Sequence, residues 1–208
     1  MSTASNALAT PWKVINELRR LVLKPFAHAW LQLHGVSYQR GIRLFGLPII
    51  QKHRQSSLEI GQNFQMRGWQ QSNPIIRTPR CLLSVRKADA YLRIGDDVGM
   101  SAAAIVAEKG ITIGDRVLIG ANTVIVDSDF HPLIAVDREV DSQAGSKKEI
   151  VIEDEVFVGM NCLILKGSFI GKGAVIGAGS VVSGDIPAGS IAAGNPARCL
   201  KQIDGADH

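Results

Sequence analysis

Ile152–Val182 reads IEDEVF VGMNCL ILKGSF IGKGAV IGAGSV V, with an aliphatic residue at Ile152, Val158, Ile164, Ile170, Ile176 and Val182, every sixth position without a slip. The preceding stretch carries the same ladder as Ile94, Met100 and Val106, then Ile113, Ile119 and Ile125, with one seven-residue step between its halves. Small or turn-forming residues follow most rungs, as in Gly95-Asp96, Gly114-Asp115, Gly120-Ala121 and Gly171-Lys172. Between Ile125 and Ile152 the period fails, and that gap holds Asp127-Ser128-Asp129-Phe130-His131-Pro132.

A six-residue unit is too short for a helical repeat and has the wrong period for an amphipathic helix. It suits one short strand and one turn, so three units bring the chain round after about 18 residues. The reading is an all-β triangular solenoid: each rung points inward, and Gly, Asn or Asp at a corner tolerates the positive φ of a tight turn. A rung buried in such a column is worth about 1.5–3 kcal/mol. A β-sandwich or barrel would show alternation within strands at roughly 8–12 spacing, which six in-phase rungs do not match. Ile60 and Met66 start the ladder, and Ile76, Leu82 and Ala88 extend the later register backwards to Ile94 through more degenerate units.

At 208 residues with 21 glycines and only 5% aromatics, the composition fits one domain with many tight turns and a narrow core. Three cysteines, Cys81, Cys162 and Cys199, are odd in number and lack metal-ligand spacing, which suits a reducing compartment. No apolar run reaches the roughly 20 residues of a transmembrane helix, so a cytoplasmic protein is expected. Residues 1–10 are small and polar, and a helix is expected from Thr10-Pro11, with Val14, Leu18, Leu21 and Val22 on one face. Pro25 should end it, leaving a second short helix over Phe26–Leu33. Across residues 12–54 eight Lys or Arg face one acid, Glu17. Such a segment either packs on the end of the array and a neighbouring subunit, or makes peripheral contact with an anionic membrane at the inner face. Nucleic acid is not expected, since no stacking platform accompanies the charge. The divisions expected are an N-terminal helical segment at 1–40, the β-helix at 41–187 with its loop at 127–149, and a tail at 188–208.

Three segments carry a family resemblance. They are Ile113–Asn122 (IGDRVLIGAN) leading into Asp127–Pro132, Ile152–Gly159 (IEDEVFVG), and Ile176–Pro187 (IGAGSVVSGDIP) with Ala192–Arg198 (AAGNPAR). In this order they resemble the hexapeptide-repeat acyltransferases, in particular the sugar O-acetyltransferases of the galactoside and maltose acetyltransferase type. The resemblance implies a left-handed parallel β-helix, a homotrimer with sites between subunits, acetyl-CoA as co-substrate, and a sugar or glycan hydroxyl as acceptor.

Acyl transfer to a hydroxyl needs a base, an oxyanion donor and alignment of both substrates. His131 is the one histidine in the repeat region, and imidazole can take the alcohol proton and return it to the thiolate. The resemblance assigns that role to His131. Asp127, Asp129 and Asn122 are candidates to bind the acceptor or orient the imidazole, and each aspartate could equally cap a turn. On the coenzyme side the matching positions are Gly159, Met160, Ala178, Ser183, Arg198 and Lys201. Phe157 stands where the family often has Trp, and Ser183-Gly184 where it often has Thr-Lys, which removes one phosphate-pairing lysine. A zinc enzyme on the same helix, of the gamma carbonic anhydrase kind, would need more ligands than one histidine supplies. The alternatives to O-acetylation are a non-catalytic scaffold or a transferase using another acyl donor or an amine acceptor.

Overall fold

The computed structural model describes residues 9–77 and 80–203, so the polar start expected at 1–10 lies outside the described residues up to position 8. A helix, α1 (Pro11–Leu33), is followed by successive three-strand coils. The first is β1 (Ser37–Tyr38), β2 (Arg43–Phe45) and β3 (Ile49–Lys52), and the second β4 (Ser57–Ile60), β5 (Gln65–Arg67) and β6 (Leu82–Val85). The third is β7 (Tyr91–Ile94), β8 (Gly99–Ser101) and β9 (Ala104–Ala107), and the fourth β10 (Gly110–Ile113), β11 (Leu118–Ile119) and β12 (Val124–Val126). After a loop containing α2 (Ala135–Val140) come β13 (Ile150–Ile152), β14 (Phe157–Val158) and β15 (Leu163–Leu165), then β16 (Phe169–Ile170), β17 (Val175–Ile176) and β18 (Val181–Val182). β19 (Asp185–Ile186), β20 (Ser190–Gly194) and β21 (Ala197–Gln202) close the stack.

Strands three apart in sequence pair in parallel, giving three flat faces: β1-β4-β7-β10-β13-β16-β19, β2-β5-β8-β11-β14-β17-β20, and β3-β6-β9-β12-β15-β18. The fold is the left-handed parallel β-helix. Its rungs stack in three columns. The first face aligns Ile60, Ile94, Ile113, Ile152, Ile170 and Ile186. The second aligns Met66, Met100, Ile119, Val158, Ile176 and Ala192. The third aligns Leu83, Ile105, Ile125, Ile164 and Val182. All of these side chains are buried.

Four expected rungs are corrected, two of them by a single position. The inward residue of β9 is Ile105, not Val106, and that of β6 is Leu83, not Leu82. Successive strand residues point to opposite faces, so either of two adjacent aliphatics can be the inward one. The ladder therefore takes a short step of five from Met100 to Ile105 and a long one of eight to Ile113. Ala88 is exposed in a turn, and Ile76 lies off the columns, packed on Ala102 and Ala121.

α1 is also one helix, not two: it runs through Pro25. Pro25 is solvent-exposed, so the carbonyl that loses its N–H partner there can turn to water. Ala27 and Leu31 join the core beside Ile42 and Leu44, capping the first coil. Polar anchors are Asn16 Nδ2 donating to Gln71 O (2.7 Å) and Trp30 Nε1 donating to Pro48 O (3.0 Å). Among the described residues no helix is long and apolar enough to cross a membrane. The expected tail at 188–208 begins with β20, which still pairs in parallel with β17 before β21 turns back antiparallel.

Ile164 and Leu163 share β15 but face opposite ways, Ile164 fully buried and Leu163 41% exposed. Ile164→Ala is expected to cost about 2–5 kcal/mol and Leu163→Ala clearly less, measured by denaturant unfolding. Equal losses would contradict the assigned register.

Candidate active site

The longest interruption of the columns leaves the third face at the end of β12 and rejoins the first face at β13. It therefore sits on the edge between those faces, stacked between the turn after β9 (Glu108-Lys109) and the turn after β15 (Lys166-Gly167). Asp127 starts it, and its carboxylate is fully buried. Oδ1 accepts from Glu108 N (2.7 Å) and Oδ2 from Lys109 N (2.8 Å) and Gly110 N (2.7 Å). Burial pushes this carboxyl above its ordinary range against the pull of the three N–H donors, with the Glu108 charge adding to the rise. Asp127 thus gathers the backbone of the extra-long step of the preceding coil. Its carboxylate makes no contact with the imidazole, and of the roles left open for it these hydrogen bonds show the holding of a turn.

Glu108, which sequence reasoning passed over, ties the loop at both ends. Its side chain is 2% exposed; Ser128 Oγ donates to Oε2 (3.0 Å), Lys147 Nζ lies 3.9 Å from Oε2, and Arg86 Nε lies 3.8 Å from Oε1. Ser128 and Lys147 also form a β-bridge across the neck of the loop. The Arg86 guanidinium lies 5.4 Å from the centre of the Phe130 ring. Phe130 has φ 61°, and His131 N donates to Asp129 O (2.7 Å) across it, so the chain turns sharply just before the histidine. Gly145 is packed against this turn: a Cβ there would lie 2.5 Å from Phe130 C and 2.6 Å from His131 N.

His131 is exposed, and its Nδ1 is 2.5 Å from the carbonyl oxygen of Ser142. A carbonyl can only accept, so Nδ1 carries the proton and Nε2 presents a lone pair outward. That is the tautomer a general base needs. Arg138 Nη1, from α2, donates to Pro132 O (2.7 Å) and Leu133 O (2.8 Å), fixing the His-Pro turn from the other side. Asp129 is engaged elsewhere: its Oδ2 lies 3.0 Å from Lys166 Nζ, an ion pair off the hydrogen-bonding line, and Lys166 also donates to Ser146 Oγ (3.2 Å). The imidazole's partner is therefore a carbonyl and neither aspartate.

Asn122 and three of the expected coenzyme positions lie on a different edge, between the second and third faces. Asn122 Oδ1 accepts from Arg77 N (3.1 Å) and its Nδ2 donates to Ile75 O (3.1 Å), so its side chain holds an adjoining loop. Gly159 stacks directly on Ala178, where a Cβ would lie 2.6 Å from Ala178 N, and Met160 packs on the cluster of Ile76, Ala102 and Ala121. Ser183, on the histidine edge nearer the C-terminal end, and Arg198, on β21 beside the second face, line one depression of about 220 Å³ with Gly184, Asp185 and Cys199. Lys201 is exposed further along β21. Burial pushes the Cys81 thiol up to about 12 and raises that of Cys162, which makes these two poor nucleophiles.

The models of two repeat families match the coils on either side of the histidine loop. "Bacterial transferase hexapeptide (six repeats)" matches residues 149–184, and "Hexapeptide repeat of succinyl-transferase" matches residues 91–126. These two stretches of the chain thus carry hexapeptide repeats similar to those of bacterial transferases. A Schizosaccharomyces pombe protein named for acetyltransferase activity is 40% identical over 94 residues, 45% of this chain and 44% of its own. A Clostridium perfringens tetrahydropyridine-dicarboxylate N-acetyltransferase is 52% identical over 59 residues, 28% of this chain and 25% of its own. The matched stretch thus spans less than half the length of either relative. Among solved structures, AntD, an N-acyltransferase from Bacillus cereus in complex with a dTDP-amino sugar and coenzyme A, superposes with TM-score 0.65. It shares 20% identity, over 85% of this chain and 89% of its own, which is a likeness of fold. A hexapeptide-repeat acetyltransferase of Vibrio cholerae, complexed with acetyl coenzyme A, shares 33% identity over 55% of this chain and 61% of its own, with TM-score 0.50.

Gly145→Ala should displace the turn that carries His131 while leaving the columns intact. The imidazole resonances of His131 are expected to shift, with global stability lowered by less than about 1 kcal/mol because the loop lies outside the core. An unchanged histidine spectrum would show that the loop takes up a methyl group without moving His131.

Proposed function

We propose that the protein is an acetyl-CoA-dependent O-acetyltransferase that acylates a hydroxyl of a sugar or glycan precursor, with His131 as general base. The observation that carries this reading is the locked imidazole: Nδ1–H held by the Ser142 carbonyl, Nε2 free and exposed. Nε2 takes the acceptor's hydroxyl proton as its oxygen bonds to the thioester carbonyl carbon. The tetrahedral adduct then collapses, the C–S bond breaks, and the imidazolium returns the proton to the departing thiolate, leaving an acetyl ester and the free thiol of coenzyme A. While the ring is charged, the Ser142 carbonyl dipole stabilises it through the same hydrogen bond.

For the acetyl donor, Ser183 and Arg198, which line one depression near the C-terminal end, would meet it, with Arg198 and Lys201 pairing with its phosphates. Gly159, Met160 and Ala178 would line the donor's thin arm from the second edge. Because that edge lies across the third face from His131, the site would be completed by a neighbouring copy, in keeping with a homotrimer. The acetyl-CoA complex of the Vibrio cholerae relative supports the choice of donor. With Asp127 and Asn122 occupied by backbone groups, acceptor contacts fall to the exposed residues of 133–149 and to Asp129 in the same turn as the base.

A second reading, transfer to an amine, is favoured by the relatives named as N-acetyltransferases and N-acyltransferases. The same base serves it. Thiol release from acetyl-CoA, followed with matched hydroxyl and amino sugars, separates the two. His131→Ala should lower turnover about 10²–10⁴-fold with the true acceptor; equal turnover by the two proteins would rule out His131 as the base.

A further inference from the structure

α1 is mounted with its apolar side outward. Asn16, Ala27 and Leu31 are its buried residues, and Arg20, 15% exposed at its side chain, also turns inward. Val14, Ile15, Leu18, Leu21, Val22 and Phe26 are exposed, with Leu18 at 58%, Val22 at 73% and Phe26 at 65%. At about 100° per residue these six fall in one arc of roughly 140°. A helix that serves only to cap the first coil would point this stripe at the core and its charges at water.

The charges identify the occupant. The exposed ionic groups of α1 are Lys13, Arg19 and Lys24, all basic; at about 100° per residue Arg19 adjoins one edge of the stripe, and Lys24 and Lys13 fall roughly 60° and 80° beyond the other. The helix's one acid, Glu17, is spent on Arg20 (2.7 Å) and Arg43. Burial alone would raise the Glu17 carboxyl, but the hydrogen bonds from those two arginines hold it below its ordinary range. Docking this face on a second copy of itself would bring like charges together. Spanning a bilayer would bury five ionic residues of α1, Lys13, Glu17, Arg19, Arg20 and Lys24. A wide apolar arc with Arg19 at one edge and Lys24 and Lys13 beyond the other instead fits a helix lying in the interfacial plane of a negatively charged membrane. We infer that α1 is a lipid-facing helix that seats the protein on an anionic membrane surface. This does not depend on the transfer reaction proposed above.

The test is co-sedimentation of the full chain with phosphatidylcholine vesicles, with and without about 30% phosphatidylglycerol, in about 0.1 M and about 0.5 M salt. Wild type should pellet with the anionic vesicles and be largely released by the higher salt. Leu18→Glu with Val22→Glu should weaken binding at least about tenfold, with circular dichroism and melting unaltered because both side chains face outward. Lys13→Gln with Arg19→Gln, which leaves the apolar arc whole, should also weaken it. Binding by both double variants at the wild-type level overturns the inference, and so does wild type remaining in solution with both vesicles. If the vesicles are ignored and Leu18→Glu with Val22→Glu lowers the oligomeric state, the stripe is a contact between copies and the lipid assignment falls.

Discussion

Parallel pairing between strands three apart obliges every coil to have nearly the same perimeter, because each rung must sit over the rung one turn before it. Residues beyond that perimeter cannot be absorbed into a face without breaking two ladders at once, one with the coil above and one with the coil below. They are expelled at an edge. The loop at 127–149 is such an expulsion, and so is the smaller excess between Met100 and Ile113. The two occur on the same edge in adjacent coils, and one residue reconciles them: the buried Asp127 carboxylate collects the N–H groups of Glu108, Lys109 and Gly110 just where the long step needs them satisfied. The functional loop is therefore rooted in the irregularity of its neighbour.

That rooting explains how an exposed histidine on a long loop can be held in one tautomer. Glu108 binds Ser128 at one end of the loop and faces Lys147 at the other, and Lys166 of the next coil faces Asp129. With its neck closed from both sides, the loop folds back so that Ser142 meets the ring, and Gly145 lets the two backbone segments touch. The ordering cost is confined to a short stretch, since rigid coils supply the anchors above and below.

What could be read from the residues follows the same division. From Ile152 to Val182 the coils carry no insertion, and the unbroken period of six locates every inward side chain even where Leu163, Val175 and Val181 stand as aliphatic neighbours of the rungs. At Ile105-Val106 and Leu82-Leu83 two aliphatics stand side by side, and only the strand partners Ile125 and Ile105 decide which points inward. His131 was legible from its type and its place in the gap. Its partner was not, because a carbonyl belongs to every residue and Ser142 lies eleven positions away. Glu108 read as an ordinary turn charge; only the depth of the site shows otherwise. Pro25 misled because a proline's effect on a helix depends on whether water can reach the freed carbonyl, and exposure is not written in the local sequence.

The prism also separates the parts that acyl transfer would need. His131 stands on the edge between the third and first faces, whereas Gly159, Met160 and Ala178 lie on the edge between the second and third. The face between them turns Leu163, 41% exposed, outward, and beside it the second face shows Leu118 and Phe157, 54% and 46% exposed. A surface so apolar in the middle, with the histidine on one side and the small residues Gly159 and Ala178 on the other, is poorly suited to hold two polar substrates within a single copy. Laid against a second copy it would bury those side chains and bring one copy's histidine edge to the other's Gly159–Ala178 edge. The same outward residues that contribute nothing to the columns would then define the width of the cleft. Phe157, standing where the resembled enzymes often carry tryptophan, is the outward neighbour of both Leu118 and Val175, so its smaller ring would set the spacing of that cleft.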